Sequence, residues 1–125
     1  MKSKYFAEFL GTTFLFLAVV GSGIMGQNLT DIDVVNFRAN TLATVFALYF
    51  LITCLGDHSS HFNPVVSLVM RLRGEINTFT LIIFSVLQIT GAIIGVVLAN
   101  YFFVLEPFQF SEKARSGTHL FVSEI

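Results

Sequence analysis

A polar interruption, Gly56-Asp57-His58-Ser59-Ser60-His61-Phe62-Asn63-Pro64-Val65-Val66-Ser67-Leu68, lies between two long apolar runs and holds most of the groups in the chain that could do chemistry. Asp57, His58 and His61 could ligate a metal or exchange protons. One carboxylate and two imidazoles in a flexible turn give no fixed ligand geometry and no oriented nucleophile, so neither a metal site nor a catalytic residue is assigned. Asn63 and Pro64 do something different. An Asn side chain caps the first free amides of a helix, and a proline at the first helical position loses no needed donor, so a helix is predicted to begin here. Its apolar residues end at Arg71 and Arg73, which gives about two turns, half the depth of a bilayer. Non-helical backbone beside such a half-helix is tolerated at membrane depth where it is buried in protein or lines a water-filled cavity. A pore is the first function this pattern implies.

The elements that must position the half-helix are read from composition. With 54% hydrophobic and 12% charged residues and a mean hydropathy of +0.78, the 125-residue chain falls among all-α membrane proteins, and one domain over 1–125 is expected. A net charge of -1 and the lack of a basic stripe exclude nucleic acid as a partner and leave membrane lipid. The single cysteine, Cys54, has no partner for a disulfide or thiolate site.

Three spans are predicted, at about 5–25, 36–55 and 77–104, with the re-entrant loop and half-helix at 56–71. The first carries one acid, Glu8, and is expected to end at the glycine clusters around Gly21, Gly23 and Gly26. In the second, Ala39, Ala43 and Ala47 recur every four residues; in the third, Gly91, Gly95 and Ala99 make a similar ridge, each suited to close helix packing. Gln88, a lone amide at mid-depth, is expected to face protein or pore rather than lipid. Residues 117–125 begin another apolar rise, read as a fourth helix cut off by the terminus. Lys2, Lys4, Arg71 and Arg73 on one side against Arg38, Lys113 and Arg115 on the other favour a cytoplasmic N-terminus.

Set against itself with Glu8 over Glu124, the chain aligns Tyr5-Phe6-Ala7-Glu8-Phe9 with Phe121-Val122-Ser123-Glu124-Ile125. Acids near the start of apolar spans are costly and rare, so two in matching places indicate a repeat, inverted because each copy holds an odd number of spans.

Ser60 to Leu68 resembles the first Asn-Pro-Ala box of the aquaporin, or major intrinsic protein, family, with its preceding histidine. Ala7-Glu8-Phe9-Leu10-Gly11-Thr12 is similar to the family's first-helix opening, and Gln88-Ile89-Thr90-Gly91-Ala92-Ile93-Ile94-Gly95 to its third-helix stretch. In wording the match is nearest to bacterial members, which implies a bacterial inner membrane. Two departures stand out: Val65 replaces the alanine of the box, and Ser59-Ser60 stands where a glycine-containing turn is usual. The resemblance implies three spanning helices and a re-entrant half-helix, half of the family's six-span, two-box architecture.

It implies further that Asn63 donates to a solute oxygen, that the carbonyls of Ser59, Ser60 and His61 accept along the vestibule, and that Pro64 and Val65 shape the half-helix tip. Thr44 falls near a position that sets pore width; the alternative is that it bonds its own helix. Glu8 would support the re-entrant loop, with Gln88 beside it and Glu124 serving a second copy. The alternative places Glu8 in the first turn near the headgroups, favoured by the helix dipole. No cofactor and no enzymatic step are implied, only passage of water or a small neutral solute such as glycerol. A second half-channel or homo-oligomer would complete the pore. The competing reading is a non-conducting truncated fragment, or a membrane subunit that associates with full-length channels.

Overall fold

In hydrocarbon the backbone must hydrogen-bond to itself, so a chain this apolar resolves into helices. The computed structural model describes residues 2–107, which form α1 (Lys2–Leu29), α2 (Asp33–Leu55), α3 (Pro64–Leu72) and α4 (Thr78–Phe102). Of these, α1, α2 and α4 are long and apolar enough to cross a membrane. The nine residues of α3 extend only about 14 Å, roughly half the hydrocarbon depth. The rise at 117–125, and Glu124 with it, lies outside the described residues.

Helix ends follow from local chemistry. Asn63 caps α3, its Oδ1 accepting the Val65 N–H at 2.8 Å, and Pro64 follows at the first helical position. At the other end, the N–H of Glu75 donates to Met70 O and that of Gly74 to Arg71 O, a Schellman closure that needs the left-handed backbone Gly74 adopts at φ 81°. Asn77 then caps α4 by accepting the Thr80 N–H at 2.7 Å.

The glycines expected to end the first span do not end it: α1 runs on to Leu29. Gly23 and Gly26 serve as seats for side chains of α2, since a β-carbon on Gly23 would meet Asn40 Nδ2 at 2.8 Å and one on Gly26 would collide with Asn36 Oδ1. Asn40 also donates through Nδ2 to Val19 O at 3.0 Å, tying α2 antiparallel to α1. Asn36 and Asn40, with Ala47 beside Phe14 and Ala18, form this seam. Of the alanine ridge, Ala43 and Ala47 are half-buried while Ala39 is exposed, so the expected contact fails at its first residue.

α4 lies parallel to α1 on its other side. Gly91, Gly95 and Ala99 are buried in a stripe that continues through Gln88 and Phe84. A β-carbon on Gly91 would stand 2.7 Å from Phe9 O, and one on Gly95 would strike Thr13 O, so at both glycines α4 comes directly against the backbone of α1. α3 packs on α4, and α1 is the common support of the bundle.

Candidate functional site

Glu8 lies two turns into α1 with no exposed surface. A carboxylate in that position costs several kcal/mol unless every oxygen is paired. Its partners all donate. Oε1 accepts from Ser59 Oγ at 2.5 Å and from the His61 N–H at 2.8 Å; Oε2 accepts from the Phe62 N–H at 2.8 Å and from Gln88 Nε2 at 2.7 Å. Two of these are backbone amides of the re-entrant segment, which no helix or strand would otherwise satisfy. Glu8 therefore serves the loop, and it lies beyond the first turn of α1, the turn in which the alternative placed it.

The clamp holds an unfavourable backbone. Phe62 has φ 51°, a left-handed conformation that costs a side chain of this size about 1–3 kcal/mol. Its ring is buried at 2% exposure against α1, in the space left by the missing β-carbon of Gly11. Glu8 and Gly11, one turn apart, thus take the backbone and the ring of the same residue. This turn reverses the chain so that Asn63 emerges exposed, extended (φ -152°, ψ 129°) and ready to cap α3.

With Asn63 Oδ1 committed to Val65, the Nδ2 hydrogens have no partner among the described residues. Asn63 borders a cavity of about 320 Å³ lined also by Leu15, Phe16, Val19, Thr44, Leu48, His61, Phe62 and Val66. No acidic side chain of α3 itself occupies its first turn; the acid that stands just before that end is Glu8, bonded to the amides of His61 and Phe62. Thr44 lines this cavity, and its hydroxyl donates to Asn40 O at 2.9 Å, the bond to its own helix that the alternative reading gave it. Pro64 and Val65 line a separate apolar groove of about 450 Å³ against α4. Ser59 and Ser60 are half-buried.

Gln88, 1% exposed, links the clamp to α3 by donating to Ser67 Oγ at 3.0 Å as well as to Glu8, and Ser67 Oγ lies 3.0 Å from His61 Nδ1. Sequence reasoning left Ser67, Gly11 and Phe62 without roles. Ser67 falls one turn after Asn63 on the half-helix, which was the available signal; the left-handed Phe62 had none.

A buried acid that clamps a re-entrant loop and half-helix among three spanning helices defines an integral membrane protein of the broken-helix type, the half-fold of an aquaporin. The chain belongs to the major intrinsic protein family, whose model matches residues 1–125. It is 45% identical over 119 residues to the aquaglyceroporin AqpS of Rhizobium meliloti (strain 1021), covering 94% of this chain and 51% of that protein. It is 33% identical over 102 residues to the probable aquaporin TIP2-2 of Oryza sativa subsp. japonica, covering 78% and 41%. Aquaporin TIP2-3 of Zea mays is likewise 33% identical, over 101 residues, with the same coverage of 78% and 41%. The chain thus spans about half the length of the curated relatives it matches. No solved structure matches it.

Proposed function

We propose that this chain forms one half of a passive channel for water or small neutral solutes such as glycerol, with Asn63 at its constriction. The observation that carries the reading is the uncommitted Asn63 amide at the cavity, fixed by the use of its own oxygen as the cap of α3. A solute oxygen passing there receives the two Nδ2 hydrogens, and the carbonyls of Ser59, Ser60 and His61 accept from its hydroxyls on the approach. The half-helix dipole raises the energy of a cation at the same point, which favours uncharged solutes. Pro64 and Val65 set the shape of the half-helix tip, and Thr44, a small side chain on α2 beside the cavity, leaves a passage wide enough for a small neutral solute. Nothing is bonded or broken in transit.

α1, α2 and the loop make only one wall. The opposite wall comes from a second half with its own half-helix, in the same polypeptide or a separate one, or from a second copy of this chain in inverted orientation. A facing half would cover polar groups that otherwise meet hydrocarbon at a cost of several kcal/mol each. The name of the aquaglyceroporin relative supports glycerol as a solute beside water. The bacterial relative and the grouping of Lys4, Arg71 and Arg73 at one end of the bundle support a bacterial plasma membrane and a cytoplasmic N-terminus.

Stopped-flow light scattering tests this on vesicles carrying the chain, alone and with the second half of the aquaglyceroporin relative. Osmotic shrinkage and glycerol-driven reswelling should exceed those of empty vesicles in at least one arm, and Asn63→Asp should abolish the excess. Flux equal to background in both arms would overturn the reading in favour of a non-conducting membrane subunit.

A further inference from the structure

The hydrogen-bond roles behind the half-helix determine which nitrogen of His61 carries its proton. Glu8 takes bonds only as an acceptor here, so the end of Gln88 that faces it at 2.7 Å is the NH₂ end. The same nitrogen, 3.0 Å from Ser67 Oγ, can only donate to it. Ser67 has no exposed surface, and its own hydroxyl proton needs an acceptor. Gln88 Oε1 is not that acceptor, because it has no hydrogen-bond partner among the described residues. His61 Nδ1, at 3.0 Å, is. Were Nδ1 protonated instead, the buried Ser67 hydroxyl proton would have no hydrogen-bonded acceptor among the described residues.

We propose that the Gln88–Ser67 relay holds the His61 ring in its Nε2–H tautomer, and that this N–H is a second side-chain donor to the solute beside Asn63. The ring is fixed edge-on to buried Phe84, with centroids 5.4 Å apart and planes at 78°, and His61 lines the same cavity as Asn63 and Thr44. On the channel reading, a polyol such as glycerol is the solute that would use both donors, whereas a single water would use one at a time. His61 is thus a specificity-determining residue through its ring as well as its backbone carbonyl, and Ser67 a positioning residue. This inference rests on the channel reading for its solute and on hydrogen bonding alone for its tautomer.

Nitrogen-15 histidine spectra of the chain in vesicles with the second half supplied, at mildly alkaline pH, separate these parts. His58→Gln and His119→Gln leave His61 as the only histidine; subtraction of a His61→Asn spectrum from the unaltered chain gives the same resonances if that variant folds poorly. The expected result is an unprotonated Nδ1 signal well downfield of a protonated Nε2, with the preference lost in Ser67→Ala and the Nε2 signal shifted saturably by glycerol. A protonated Nδ1 in the unaltered chain would overturn the relay, and an Nε2 signal indifferent to glycerol would overturn the solute contact. Failure of the channel reading shows itself separately, as absent flux.

Discussion

The ring of Phe62 fills the space in which Gly11 would otherwise carry a β-carbon. That close approach lets a re-entrant loop lie on a spanning helix with its polar backbone turned to Glu8. Gly11→Ala should push the ring outward and destabilise the protein by about 1–3 kcal/mol, the usual range for overpacking. Denaturation in mixed SDS micelles, followed by circular dichroism, measures it; an unchanged midpoint would show that the ring has room to move.

Glu8 carries the largest expected effect. Glu8→Gln turns an NH₂ group toward donors that now use one oxygen, and Glu8→Ala leaves two backbone amides and the Ser59 hydroxyl without this acceptor and Gln88 Nε2 with Ser67 alone. Breaking a buried charged hydrogen-bond set costs about 3–5 kcal/mol. Both variants should lower the SDS midpoint, Glu8→Ala more, with faster proteolysis within residues 56–63.

Gln88→Leu removes one donor from Glu8 and one from Ser67, but also removes the buried Oε1 that has no partner. Those changes oppose each other. The expected loss is about 1–2 kcal/mol, below that of Glu8→Ala in the same assay.

At the seam of α1 and α4, Gly95→Leu should separate the helices because its β-carbon would strike Thr13 O. A loss above about 3 kcal/mol or failure to insert stably is expected. Val97→Leu, on the same helix but half-buried, serves as the control and should stay within about 1 kcal/mol.

Val104 should give the opposite sign. It closes α4 at φ 57°, a left-handed position for which a β-branched residue is poorly suited, and it is 93% exposed. Val104→Gly should therefore stabilise by about 1 kcal/mol, read as a raised midpoint.

What was legible in the sequence divides by range. Asn63-Pro64 signals a helix start because a cap and a proline act within one turn, and the spans are visible because length and hydropathy are summed along the chain. Gly23 and Gly26 were read as stops on local propensity, yet the partners that make them useful, Asn40 and Asn36, arrive from another helix. Ala39 failed for the same reason: spacing alone does not say which face of α2 meets α1. Glu8 was given its role by the family resemblance, not by spacing, since the loop it binds is some fifty residues away. The left-handed Phe62 was invisible, because phenylalanine carries no preference for that conformation and only Glu8 and Gly11 together impose it.

The most direct test of the central claim, that the wall carrying Asn63 faces a water-filled passage, is thiol accessibility on two positions of α2. In a Cys54→Ser background, with the second half supplied, Thr44→Cys borders the cavity while Phe46→Cys points away from it. A membrane-impermeant thiol reagent should label Thr44→Cys, glycerol should slow that labelling, and Phe46→Cys should stay unlabelled. Labelling of Phe46→Cys at the same rate, or none at Thr44→Cys, would contradict the account.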